Sequence, residues 1–196
     1  MATWRAISTV GRALLGLIED HYPSAELIAP EFKLVHPASF EKPQKEGFSI
    51  CLYRVAINAT LRNLPPRRGA DGRRYRPSLP LDLQLLLTPW ADDAERQMRL
   101  IGWTMRFFED LPILPAAVLN SYAAEPGTFH DEEAVELVFD PLAIADYLAL
   151  WDKLKPKMQT SLTYTVRMLV IDSEIEWAEG RPAQTRDLRY GDLVPS

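Results

Sequence analysis

Phe48-Ser49-Ile50-Cys51-Leu52-Tyr53-Arg54-Val55-Ala56-Ile57-Asn58-Ala59-Thr60-Leu61-Arg62-Asn63 alternates apolar with polar side chains. Cys51, Tyr53, Val55, Ile57, Ala59 and Leu61 fall on one side, with Arg54, Asn58, Thr60 and Arg62 on the other. A period of two is that of a strand with one face buried. After Pro65-Pro66 and an arginine-rich stretch, Leu79, Leu81, Leu83, Leu85 and Leu87 alternate again, with Asp82, Gln84 and Thr88 opposite. Two long strands around a Gly/Pro-punctuated loop predict an antiparallel hairpin with the basic loop at its tip.

Working outward, Ile7, Val10, Leu14 and Leu17 have helical spacing, and His21-Tyr22-Pro23 ends that helix. Phe32, Leu34 and Val35 predict a short strand, followed by a polar loop through Lys45. Asp92 or Asp93 can cap a helix whose stripe is Ala94, Met98, Ile101, Met105 and Phe108, ending at Leu111-Pro112. A loop with Pro126-Gly127 leads to a strand at Val135, Leu137 and Phe139. Asp140-Pro141 reads as cap and first-turn proline of a helix through Ile144, Leu148 and Trp151. Leu162, Tyr164, Val166, Met168 and Val170 alternate as a third long strand, and a last strand is expected around Thr185–Leu188. The reading is a single α+β domain over residues 1–190, a mainly antiparallel sheet with packed helices, and a tail at 191–196.

The composition fits this: 196 residues, 47% hydrophobic and 25% charged, suit one soluble domain. Net charge is −5, which argues against a nucleic-acid-coated role. Charge is unevenly placed: residues 67–76 hold five arginines and one aspartate, a local +4 that leaves −9 on the remainder. Cys51 stands alone, so no intrachain disulfide can form. The first twenty residues carry Arg5, Arg12, Glu19 and Asp20, and no signal peptide is expected. No window reaches 18 uncharged apolar residues, so no direct membrane insertion is expected and synthesis is placed in the cytoplasm.

Catalytic chemistry finds little support. His21, His36 and His130 are dispersed in or beside predicted loops, and none has a His or carboxylate at i+3 or i+4 on a helix. Cys51, on an apolar strand face, reads as structural. Asp131, Glu132, Glu133 and Glu136 lack the spaced ligands and glycine of a calcium loop and read as a solvated face. Asp172, Glu174 and Glu176 alternate along one side of an extended segment, the pattern of an edge strand guarded by charge. The sequence holds no G-x-G-x-x-G, Walker A or G-x-S-x-G. The expectation is a non-enzyme with no metal, cofactor, nucleic acid or small-molecule substrate. Arg67, Arg68, Arg73, Arg74 and Arg76 stand out as the candidate protein interface, since an Arg-rich loop on an acidic chain suits head-to-tail association.

Ile50-Cys51-Leu52-Tyr53-Arg54-Val55 with Asn58–Asn63, and Leu79–Trp90, resemble blocks of one family. So do Phe107-Phe108-Glu109-Asp110-Leu111-Pro112-Ile113-Leu114 and Leu150-Trp151 followed by Ser161-Leu162-Thr163-Tyr164. The family is the cap proteins of extracellular contractile injection systems of the antifeeding-prophage and virulence-cassette kind. The resemblance runs over residues 3–190 in order of elements and is strongest over 48–172. It implies a fold related to phage tail terminators and a homohexameric ring that ends polymerisation of inner tube and sheath, with those subunits as partners. It carries over no catalytic residues. Alternatives are a baseplate or tube-adaptor subunit of the same particle, or a small module binding anions or proteins through the 67–76 loop. The resemblance leaves open whether the particle stays cytoplasmic, is membrane-anchored or is released.

Overall fold

The long leucine strand sits at the centre, buried on both faces over its second half, Leu85 to Trp90. In the computed structural model, which describes residues 2–69, 71–154 and 158–177, it is β5, Leu79–Trp90. Leu81, Leu83, Leu85 and Leu87 point into one core and Leu86 and Trp90 into another. Pro80 and Pro89 stand next to its two ends, where a missing N–H costs the ladder least. Around it come β1 (Glu31–Val35), β2 (Gly47–Ile57), β6 (Ile113–Pro115), β7 (Ala134–Phe139) and β8 (Leu162–Ile171), with β3 (Arg67–Arg68) and β4 (Arg74–Tyr75) forming a separate hairpin. The sheet order is β1-β2-β5-β8-β7-β6, and every pairing is antiparallel except β1 with β2.

Helices α1 (Ala6–His21), α2 (Ala94–Asp110) and α3 (Ala116–Ser121) contribute to the large core on one face, and α4 (Ile144–Leu154) to the smaller core on the other. α1 buries Val10, Leu14 and Leu17 as its spacing predicted. Asp93 caps α2, accepting from the Arg96 amide at 2.9 Å. The described residues form a single α+β domain, a mainly antiparallel sheet with packed helices, as expected, and the helices lie on both faces. β6, α3 and two short 3₁₀ segments at Ser24–Glu26 and Pro37–Glu41 fall where the sequence predicted loops. The second of these buries Phe40 in the small core.

Two bulges correct the strand faces read from alternation. In β2 the register with β5 shifts between Leu52 and Arg54, so Tyr53 is an extra residue. Cys51 and Tyr53 therefore belong to the small core, while Val55 and Ile57 cross to the other face and are exposed. The strand also stops at Ile57: the Asn58 side-chain oxygen accepts from the Thr60 and Leu61 amides and turns the chain, so Ala59 and Leu61 are not strand residues. In β8, two residues, Arg167 and Met168, face the single Asp82 of β5, and Met168 takes φ +64°. Leu169 then points inward, and Met168, expected in the core, is exposed.

Two helix stripes are rotated from expectation. On α2 the buried face is Leu100, Thr104 and Phe108, while Met98 and Met105 are exposed. Trp103 and Phe107 stack at 5.0 Å beside it, and Trp103 lies 6.0 Å from Phe48. On α4, Trp151 and Leu154 are buried, but Ile144 and Leu148 face out. Asp140 does not cap α4: its amide donates to Thr163 O and its carboxylate accepts from Thr165, so it is tied to β8 instead. Gly47 starts β2 at φ +117°, and a Cβ there would lie 2.1 Å from the Glu31 carbonyl oxygen. The expected strand at Thr185–Leu188, the domain limit at 190 and the tail 191–196 lie outside the described residues.

Candidate functional site

The basic loop between β2 and β5 is built rather than loose. Pro65-Pro66 leads into β3, the chain reverses through Gly69 and Gly72, and β4 returns. Gly69 N donates to Arg73 O at 2.8 Å, and Gly72, at φ +78°, supplies the turn residue a side chain would disfavour. Asp71 ties the turn together by accepting from the Tyr75 hydroxyl at 2.7 Å and the Arg73 amide at 3.0 Å. Those two hydrogen bonds hold the Asp71 carboxyl below the usual carboxylate range, and donating to Asp71 raises the Tyr75 hydroxyl above its ordinary value.

A third strand joins it. The segment following β8 runs antiparallel to β4, with Arg76 N donating to Ile175 O at 2.9 Å and Trp177 N to Arg74 O at 2.8 Å. Tyr75 lies opposite Glu176. The acidic residues read as a charged edge strand are thus partners of the basic loop. Arg67 sets its Nε 3.0 Å from Asp172 Oδ2, and its guanidinium lies 4.7 Å over the Tyr75 ring. Asp172 also accepts from Ser78 at 2.8 Å, fastening the hairpin to the end of the sheet. Arg73 pairs with Glu176, which raises the guanidinium pKa further, and Glu174 is exposed.

The five arginines accordingly divide by strand alternation. Arg67 and Arg73 share a face with Tyr75, Glu176 and Asp71 and are ion-paired within the chain, although the buried Arg67 Nε makes no hydrogen bond. Arg68, Arg74 and Arg76 occupy the opposite face, together with Ile175 and Trp177, and all five are exposed. Arg68 and Arg76 have no ion-pair partner among the described residues. The exposed Ile175 and Trp177 were not singled out by sequence; only their alternation with Glu174 and Glu176 signals them.

The remaining candidates stay apart. His21 Nδ1 lies 2.9 Å from Leu17 O at the end of α1, with its ring 5.4 Å from Phe107. His36 contacts Ser39, and the His130 amide donates to the Glu133 carboxylate at 2.8 Å. Among the described residues no three His, Cys, Asp or Glu side chains gather as a metal site would require. Cys51 is enclosed in the small core, and burial pushes its thiol up to about 11, so it is protonated near neutral pH. Of the acidic group, Glu133 closes the turn before β7, Glu136 lies within β7, and Asp131 and Glu132 are exposed. An apolar groove lies between α1 and the edge of the sheet, lined by Trp4, Ile7, Leu34, Ile50, Leu52 and Leu85. No helix among the described residues is long and apolar enough to cross a membrane.

Among the described residues the basic hairpin stands out as an exposed surface, and the fold that carries it is shared with known proteins. In cryo-EM structures, the PVC sheath/tube terminator of an extracellular contractile injection system in its extended state shares the fold with a TM-score of 0.55 at 18% identity. The match covers 97% of this chain and 63% of that one. The anti-feeding prophage cap, the AFP tube terminating cap, gives a TM-score of 0.54 at 15% identity, covering 94% of this chain and 60% of its own. The chain therefore spans less than two thirds of either structure's length. No curated protein matches. The profile of the Pvc16 N-terminal domain matches residues 9–185, nearly the whole sequence, and the chain belongs to that family.

Proposed function

We propose that the chain is the cap, or terminator, subunit of a phage-tail-like contractile injection system, ending polymerisation of its inner tube and sheath. The observation that carries this reading is the family match over residues 9–185, joined to a fold shared with a sheath/tube terminator along 97% of the chain. The role is structural and needs no catalytic group. One face of the subunit copies the contact by which tube or sheath rings stack, and the opposite face lacks it, so growth stops. The subunits form a closed ring, a hexamer by resemblance, with heterologous contacts between neighbours. The hairpin arginines, including Arg67 and Arg73 as its internal braces, form part of the contact surface.

The test is electron microscopy of particles from cells lacking the gene, scored for length and end structure. Tubes of uncontrolled length, or particles with open ends that shed sheath, are the expected result. Normal capped ends would overturn the reading. Loss of the opposite, baseplate end would instead favour an adaptor role.

A further inference from the structure

The two-faced hairpin has one face whose charges are ion-paired within the chain and a second that keeps two arginines without an ion-pair partner among the described residues. On the second, the exposed Arg68 and Arg76 share a face with Ile175 and Trp177, with Arg74 between Arg68 and Trp177, so cationic and apolar groups lie on one small sheet. Such a face fits an acidic protein surface, because guanidinium groups hold carboxylates in a forked geometry while the aromatic ring contributes buried area. The chain itself carries a complement. Asp131 and Glu132, in the turn before β7, are exposed and without an ion-pair partner among the described residues.

The topology puts the two groups at the same end of the sheet but on different flanks. The hairpin grows from β2 and β5, while the acidic turn enters β7, which is separated from β5 by β8. Strand spacing alone sets β5 and β7 about 10 Å apart. The level is shared: Ala2 bridges Ile171 at the end of β8, and the next residue, Thr3, donates to Thr128 O just before the acidic turn. Within one copy these charges leave each other unpaired. Between two copies set side by side they can meet, since each copy offers both an exposed basic group and an exposed acidic group. That is a heterologous contact of the kind that closes into a ring.

We infer that the outer face of the hairpin, through Arg68, Arg76 and Trp177, docks against the Asp131–Glu132 turn of a second copy of this chain. The inference deepens the ring reading above and rests on it for its biological sense, though not for its test. Sedimentation velocity of the purified full chain supplies that test, comparing R68E/R76E, D131K/E132K and the fourfold variant carrying both pairs. The wild type should associate at about 50 mM salt and loosen toward about 0.5 M. Either pair alone should weaken association at least tenfold, roughly, and the fourfold variant, with the charges exchanged across the contact, should recover most of it. All four positions are exposed, and a melting curve for each variant checks that folding is unchanged. Association insensitive to either pair, failure of the folded fourfold variant to recover, or a monomer at low salt would each overturn the inference. Capping is decided separately by the ends of the particles, so an open-ended deletion phenotype with a monomeric purified chain would remove only this contact.

Discussion

Replacing Ser49 by alanine removes one oxygen atom, yet it should be among the costlier small changes in this protein. Ser49 is 1% exposed, and its hydroxyl accepts from Trp90 Nε1 at 2.8 Å across the β2–β5 pair. Trp90 is buried against Phe40 and, with Leu86 and Trp151, forms the small core that holds α4 to the sheet. The substitution removes the acceptor that the Trp90 indole N–H uses. Trp151 Nε1, in the same cluster, is already buried without a hydrogen-bond partner. Leaving a buried donor unsatisfied costs about 1–3 kcal/mol, so we expect Ser49→Ala to lose about 2 kcal/mol. For a domain of this size that corresponds to a fall in Tm of roughly 4–8 °C. Urea unfolding followed by circular dichroism measures it, with Trp90→Phe as the second arm of a cycle. Phenylalanine has no N–H, so Ser49→Ala in that background should cost under about 0.5 kcal/mol, giving a coupling near 1.5 kcal/mol. Equal costs in both backgrounds, or no cost in the wild type, would refute the reasoning, because the loss would then come from packing or not arise at all.

The β8 bulge makes a second prediction. Met168 sits in the left-handed region, where an L-residue gives up about 1–2 kcal/mol that glycine does not. Met168→Gly should therefore stay within about 0.5 kcal/mol of the wild type despite its lost side-chain contacts, whereas Met168→Val should cost more than about 1 kcal/mol, since a β-branched residue is strained there. Denaturant midpoints that rank the two variants in the opposite order would contradict the bulge. A third prediction concerns pH. The Cys51 thiol is raised from 9.0 to about 11, so the folded state keeps its proton longer than the unfolded chain does. Its contribution is fully present below pH 9 and is lost as pH rises toward 11. Stability measured across that range should fall, and Cys51→Ala, less stable at pH 8, should show a shallower fall.

Hydrophobic patterning makes the long strand pair and most helices legible. Alternation is local and counts positions, so β2 and β5 announce themselves, as do the core leucines 81, 83, 85 and 87. Counting fails at a bulge, because one extra residue reverses every later face. Val55, Ile57 and Met168 were misplaced for that reason. A different failure occurs on α2 and α4, which are apolar over too wide an arc for spacing to choose a face. On α2, packing of Trp103 and Phe107 beside Phe48 makes the choice and leaves Met98 and Met105 outside.

The candidate site divides in the same way. The sequence alone determined that residues 67–76 form a basic loop between two paired strands, that Asp172 and Glu176 lie on one side of an extended segment, and that no catalytic motif is present. Only the tertiary structure decided that these two segments meet. Residues about 100 positions apart are brought together because β8 lies beside β5 and delivers its acidic end to the base of the hairpin. That meeting neutralises Arg67 and Arg73 and exposes Arg68 and Arg76 on the far face. Charge composition is a property of the chain, but which charges remain available to a partner depends on which have already been satisfied within the fold.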